Sequence, residues 1–298
     1  MPIAVFLISL VIAALGLAAL AIVGVAWYAA GKLIHPPHRR AEATPAKYGL
    51  ASETVSFESS DGATLRGWFI AAPNPRGTLI LCHGYAGDCS PDLIYAPLFY
   101  QANYNTLLFD FRGHGASDGN SVSLVYFERR DLLAALDFLS ARGIYRVGLL
   151  GFSMGGAIAI ATAPLSAMVA GVFTDCTFAE LGAIMQTAFA ARRFPLWLAP
   201  LLGWLTVVIA SLRLRANLFS ADPIRWVDQI APRPILIMHA ERDEDAPVSQ
   251  ARRLFNAARE PKALWIVPGA RHRRIEDIAR DEYRRRVLDF FDNVFANP

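Results

Sequence analysis

The sequence predicts an α/β fold, a mostly parallel sheet flanked by helices, and three observations carry that prediction. Short, largely apolar runs at 78–82, 105–109 and 147–150 have the length and composition of strands buried on both faces. Between such runs lie stretches of helical periodicity: in 128–142, Leu132, Leu133, Leu136 and Leu139 share one side. The run at 147–150 then passes through Gly151-Phe152-Ser153-Met154-Gly155 directly into the small residues of 157–161, a tight strand-to-helix turn. Strands that alternate with helices build βαβ units and hence a parallel sheet. A chain of 298 residues fits one such domain plus an appendage.

The appendage comes first. Residues 2–31 carry no charged side chain. As a helix they would reach about 45 Å against a hydrocarbon core of about 30 Å, so a transmembrane anchor is expected. A cleaved signal peptide, the alternative, has a basic segment before a shorter apolar run, and nothing basic precedes this one. Lys32, Arg39 and Arg40 follow, and the positive-inside tendency puts the rest of the chain in the cytoplasm. Residues 32–47, with Pro36-Pro37 and Pro45, read as an extended linker, and the folded domain is expected over 48–298.

Within that domain, 53–59 and 64–71 alternate around the turn Ser60-Asp61-Gly62, an N-terminal hairpin. The strand at 78–82 stops at His83-Gly84-Tyr85-Ala86-Gly87, and 91–102 reads as a helix. The strand at 105–109 ends in Asp110-Phe111-Arg112-Gly113-His114-Gly115, and the helix of 128–142 follows. After the Ser153 strand and helix come strands at 168–174, 234–239 and 263–267, a helix at 248–258, and a closing helix at 276–295.

Residues 178–222 break the alternation with far more chain than a crossover needs. Inside them, 194–212 is uncharged between Arg193 and Arg213, and hydropathy alone reads it as a second membrane span. One crossing there would put Ser153 on one side of the membrane and everything after Leu212 on the other, away from the partners named below. Pro195, Pro200 and Gly203 also interrupt a span. The segment is expected to be a helical lid over the site, apolar through Phe189, Trp197, Leu201 and Trp204. The arginines around it (Arg192, Arg193, Arg213, Arg215) and those near His272 (Arg271, Arg273, Arg274) read mostly as solvated charge.

The chemistry centres on Ser153. At the apex of a strained strand-to-helix turn its hydroxyl is pushed out at the top of the sheet, with a helix N-terminus behind it that favours developing negative charge. A hydroxyl is a poor nucleophile until a base takes its proton, and the base needs an orienting carboxylate. Of six histidines, His35 and His38 sit in the linker, His83 and His114 read as loop-shaping, and His239 ends a strand. His272, after the last strand in Pro268-Gly269-Ala270-Arg271-His272, is the expected base. Glu241, Asp243, Glu244 and Asp245 crowd the loop after 234–239; Asp243 is the favoured acid and Asp175 its rival. The amide of Met154 and that of Tyr85, after His83-Gly84, are the expected oxyanion donors. Three cysteines (Cys82, Cys89, Cys176) are too few for a disulfide framework and have no metal-ligand spacing. The net charge is +3, and no nucleic-acid partner is expected.

Together these stretches make the chain resemble the α/β-hydrolase superfamily over roughly 53–295. The resemblance rests on His83-Gly84-Tyr85, on Asp110 through Ser117, on Gly151-Phe152-Ser153-Met154-Gly155-Gly156, on the His239, Asp243, Pro247-Val248 run, and on Gly269-Ala270-Arg271-His272. One departure is Ala240, where the family has glycine after the histidine of the acid loop. Within the superfamily it is similar to the serine aminopeptidase and monoacylglycerol-lipase-like branch, and to bacterial relatives of the membrane-associated thioesterases. The resemblance implies cleavage of an ester, thioester or amide through an acyl-enzyme, with no metal and no organic cofactor. A lipid-like acyl ester is the expected substrate. The alternatives are a serine peptidase or amidase and, in a different class, an inert membrane-bound scaffold. The superfamily motif does not fix the substrate.

Overall fold

The computed structural model describes residues 2–37 and 43–296; His38, Arg39 and Arg40 lie outside them. The strands are β1 (Glu53–Glu58), β2 (Thr64–Ile70), β3 (Gly77–Cys82), β4 (Tyr104–Asp110), β5 (Val147–Phe152), β6 (Val169–Asp175), β7 (Ile235–Ala240) and β8 (Lys262–Val267). The helices are α1 (Pro2–Ile34), α2 (Ala96–Gln101), α3 (Glu128–Ser140), α4 (Met154–Thr162), α5 (Leu181–Ala191), α6 (Ala199–Leu214), α7 (Ser249–Ala257) and α8 (Glu276–Ala296).

Among the described residues one eight-stranded sheet runs β1-β2-β4-β3-β5-β6-β7-β8. The β1–β2 hairpin joins β4 antiparallel, and every later pairing is parallel. The apolar runs are continuous because successive residues serve opposite faces. Ile80, Leu107, Phe109 and Leu149 enter the core shared with α3 and α4. Leu79, Leu81, Leu108 and Leu150 enter the core shared with α2 and α8, where Phe99, Tyr283 and Phe291 are buried. The fold is thus an α/β-hydrolase fold with helices on both faces of a mostly parallel sheet. The helix expected over 91–102 begins as a tighter 3-10 turn, Ser90–Tyr95, before α2. The carboxylates of Asp110 and Asp88 take the amides of Cys89 and Ser90 at its start.

Among the described residues α1 alone is long and apolar enough to cross a membrane. It does not stop at Gly31. It runs to Ile34, into the stretch expected as linker, because its last turn has partners on the sheet domain. A helix ends with four carbonyls that lack intrahelical donors. Here the Gly31 carbonyl takes the His35 amide, those of Lys32 and Leu33 share the Tyr85 hydroxyl at 3.0 and 2.9 Å, and that of Ile34 takes the Val122 amide. Ala26, Ala30, Leu33 and Ile34 are buried, whereas most of the helix before Ile22 is exposed.

The 178–222 insertion folds as α5 and α6. A Cβ on Gly203 would lie 2.8 Å from the Gln186 amide nitrogen, so the glycine lets α6 approach α5 backbone to backbone. The uncharged stretch is not one helix. Pro195 opens a turn ahead of α6, and Pro200 sits in the first turn, where its missing amide costs nothing. Leu196 and Trp197 stand 77% and 78% exposed, and Leu201, Trp204 and Leu212 continue the outward face of α6. That face adjoins α1, with the Arg213 guanidinium 5.1 Å from the Trp27 ring centre.

Candidate active site

Ser153 sits between β5 and α4 with φ 51° and ψ −113°, a conformation side-chain-bearing residues rarely adopt. Its amide donates to the Asp175 carbonyl at 2.8 Å, and Thr177 Oγ1 donates to the Ser153 carbonyl at 2.9 Å. The sharp turn needs bare backbone beside it. A Cβ on Gly151 would lie 2.4 Å from Gly156 Cα, and one on Gly155 would lie 1.9 Å from the Cys82 carbonyl oxygen. Gly155→Ala is therefore expected to destabilise the fold at the upper end of the ~1–3 kcal/mol typical of overpacking. Thermal unfolding checks this; an unchanged midpoint would mean that β3 can move away from the turn.

The side chains expected to partner Ser153 come from the ends of β7 and β8. These strands pair in parallel through Ala240 and Val267, so their C-terminal loops emerge side by side. The Arg242 amide donates to the Ala270 carbonyl, and the Gly269 amide to a Glu241 carboxylate oxygen, stitching the loops together. His272 Nε2 lies 3.1 Å from Ser153 Oγ, and its Nδ1 lies 2.7 Å from Asp243 Oδ2. Nδ1 faces a carboxylate and holds the proton, which leaves Nε2 free to accept from the serine. Asp243 Oδ1 takes the amides of Asp245 and Ala246 at 3.0 and 2.7 Å, which fixes the carboxylate's rotation. His239 Nε2 donates to the Ala246 carbonyl, and burial lowers its pKa, so it braces the acid loop as a neutral ring.

Asp175 is arranged differently. Its carboxylate is buried, with one oxygen 3.4 Å from the Tyr283 hydroxyl, and it is Asp243 that His272 Nδ1 meets.

On the other side of Ser153 lies the 83–87 loop. His83 Nε2 accepts the Phe111 amide, so Nδ1 carries the proton and donates to the Gly84 carbonyl. Burial pushes the His83 pKa down to about 4, so the ring stays neutral. His114 Nδ1 donates to the Arg112 carbonyl, and its Nε2 accepts the Ala86 amide at 3.3 Å. The motif from Asp110 to Ser117 is thus the bed on which this loop rests. Tyr85 and Met154 line the same cavity as Ser153, and the Met154 amide, first in α4, has no intrahelical acceptor within reach. The arrangement sets an imidazole to take the Ser153 proton, with the 83–87 loop and the start of α4 lining the same cavity.

The sequence model of the alpha/beta hydrolase family matches residues 79–286, which include the serine turn, the 83–87 loop and both partner loops. The chain belongs to the alpha/beta hydrolase family. Among relatives of this hydrolase, the uncharacterized protein YqkD of Bacillus subtilis is 31% identical over 244 residues, covering 79% of this chain and 78% of the relative. The alpha/beta hydrolase domain-containing protein WAV2 of Arabidopsis thaliana is 30% identical over 234 residues, with coverage of 75% and 72%. An esterase from Pyrococcus furiosus shares the fold with a TM-score of 0.70 at 24% identity, covering 88% of this chain and 98% of that one. One from Exiguobacterium antarcticum does so with a TM-score of 0.60 at 18% identity, over 80% and 99%.

The hydrolase cavity is about 500 Å³ and holds Ser153 and His272 in its wall. Phe178, Ile184, Met185 and Ala188 give it an apolar side. Burial opposes a charge on His272, but the hydrogen bond and charge of Asp243, helped by Asp245 and Asp175, outweigh it and raise the pKa above the ordinary imidazole value. Cys176 joins Asp243 and His272 in a trio whose ligand-type atoms lie within 4.8 Å of one another. The last two are already bonded to each other and burial pushes the Cys176 thiol up, so the donors do not suit a metal. Arg273 is the exception among the arginines read as solvated. Its side chain is 24% exposed, pairs with buried Asp92, and stacks 4.0 Å over Phe152. Sequence reasoning missed two parts of the cavity. The inner face of α5 had a signal in its spacing of Ile184, Met185 and Ala188; Leu33 of α1 had none beyond the helix ending nearby at Pro36-Pro37.

Proposed function

We propose that this hydrolase is a membrane-anchored serine esterase that cleaves carboxylic esters, or the chemically similar thioesters, of apolar acyl groups. The observation that carries this reading is His272, set 3.1 Å from Ser153 Oγ and 2.7 Å from Asp243 Oδ2 at the wall of a partly apolar cavity. Ser153 attacks the acyl carbonyl while His272 takes its proton and Asp243 stabilises the imidazolium. The amides of Tyr85 and Met154 meet the oxyanion, each worth about 2.7–4 kcal/mol of transition-state stabilisation. His272 then protonates the departing alcohol or thiol, and a water activated by the same ring releases the acid. An apolar acyl substrate is the kind that monoacylglycerol-lipase-like and thioesterase-like hydrolases take, and the apolar side of the cavity supports that reading.

The membrane part of the proposal rests on the apolar α1 and on the outward face of the insertion that adjoins it. The contacts of the last turn of α1 favour a retained anchor over a cleaved signal, and Lys32 beyond the apolar run favours a cytoplasmic catalytic domain. A p-nitrophenyl ester series from short to long acyl chains, assayed in detergent with Ser153→Ala as control, tests it. A Ser153-dependent optimum at medium or long chains is expected. No turnover across the series, with a serine-directed phosphonate still labelling Ser153, would move the substrate to amides.

A further inference from the structure

We propose that the last turn of α1 is a working part of the active site: it fixes the oxyanion loop through the Tyr85 side chain and closes one wall of the acyl cavity with Leu33. This rests on the serine-hydrolase reading above.

An apolar helix that merely tethers a domain needs no defined register with it. Here the register is fixed. The Tyr85 hydroxyl spans the Lys32 and Leu33 carbonyls, the Val122 amide holds that of Ile34, and the ring of His35 bonds the Asn120 carbonyl at 2.7 Å. The small side chains of Ala26 and Ala30 let the helix sit close, and both are fully buried. A rotation of α1 by one residue would break these contacts together.

Tyr85 makes the connection matter for chemistry. Its amide is the expected oxyanion donor, and its hydroxyl grips α1. Burial pushes that hydroxyl's pKa up to about 12, so it stays a donor at any working pH. His83 and His114 hold the loop at Gly84 and Ala86, on either side of Tyr85, and α1 holds it at Tyr85 itself. The Tyr85 side chain is a positioning group: without its grip the loop keeps its inner supports but loses the contact that aims the middle amide. Leu33, on the same turn of α1, lines the cavity beside the apolar residues of α5. Movement of the helix would therefore alter the oxyanion site and the acyl wall at once.

The test uses full-length protein in detergent micelles and two fluorophosphonates, one with a short and one with a long alkyl chain. Their phosphoryl oxygen occupies the oxyanion site, so the labelling rate of Ser153 reads that site whatever the natural substrate. Tyr85→Phe removes the hydroxyl and keeps the ring and the amide. Its labelling rate should fall about tenfold, a fraction of the ~100-fold or more expected for losing an oxyanion donor outright. In the ester assay kcat should fall in step while KM and the unfolding midpoint hold, a split that simple loosening of the fold would not produce. Leu33→Trp should lower the long-chain to short-chain labelling ratio by about tenfold, because the larger side chain fills space at the acyl wall. Tyr85→Phe labelled at the wild-type rate, or an unchanged chain-length ratio in Leu33→Trp, would overturn the proposal. If Tyr85→Phe does not fold, the Leu33→Trp ratio decides alone. Wild-type protein that labels but cleaves no ester would contradict the ester reading and leave this test intact. Wild-type protein that does not label would refute the serine-hydrolase reading and this inference with it.

Discussion

Ser153→Ala is expected to lower ester turnover by about four to six orders of magnitude, with the fold intact. The hydroxyl is the only atom removed, and the turn depends on Gly151 and Gly155 rather than on the serine side chain. His272→Ala should fall as far, because a serine without its base is no better a nucleophile than a missing one. The double variant should be no worse than either single one, since both remove the same step. Steady-state hydrolysis of a p-nitrophenyl ester measures all three. Losses that multiplied in the double variant would mean that Ser153 and His272 act in separate steps.

The second large effect belongs to Asp243. Asp243→Asn is expected to cost about 10⁴ in turnover, because an amide in place of the carboxylate no longer holds the His272 proton on Nδ1. The pH profile should move as well. On the proposed mechanism catalysis needs neutral His272, so kcat/KM should fall as pH drops through the His272 pKa. That pKa lies above the ordinary imidazole value because of the charge and hydrogen bond of Asp243. Without them the acid limb should shift to lower pH while the plateau collapses. Asp175→Asn should stay within about tenfold of wild type, ~1.4 kcal/mol of barrier, since the carboxylate on His272 Nδ1 is that of Asp243. A dead Asp175→Asn beside an active Asp243→Asn would exchange the two roles.

The sheet was legible because burial on both faces leaves a strong mark: Leu79, Ile80 and Leu81 are apolar for opposite sides of one strand. The serine turn was legible because close backbone approach admits only glycine at Gly151 and Gly155. The choice between Asp175 and Asp243 was less so. Both follow sheet strands, and which carboxylate meets the imidazole depends on the pairing of β7 with β8 and on amides of the acid loop. Periodicity over 194–212 could not show that Pro195 opens a turn and that the helix proper starts at Ala199. Least visible was the end of α1. Its interaction with Tyr85 uses backbone carbonyls, which leave no trace in side-chain identity, across a separation of about fifty residues. Arg273 was hidden similarly, since an arginine among arginines gives no sign that one of them is folded inward onto Asp92.

Leu33 and α5 both wall the cavity, and bare apolar side chains stand at Trp27 of α1 and at Leu196 and Trp197 in the turn between α5 and α6. On the proposed reading, the enzyme takes its substrate from a two-dimensional phase. Its rate should then saturate with the mole fraction of ester in a micelle or bilayer rather than with its bulk molarity. Neutral detergent added at constant ester concentration should slow it, and a tightly binding acyl product would linger at the same surface and compete there.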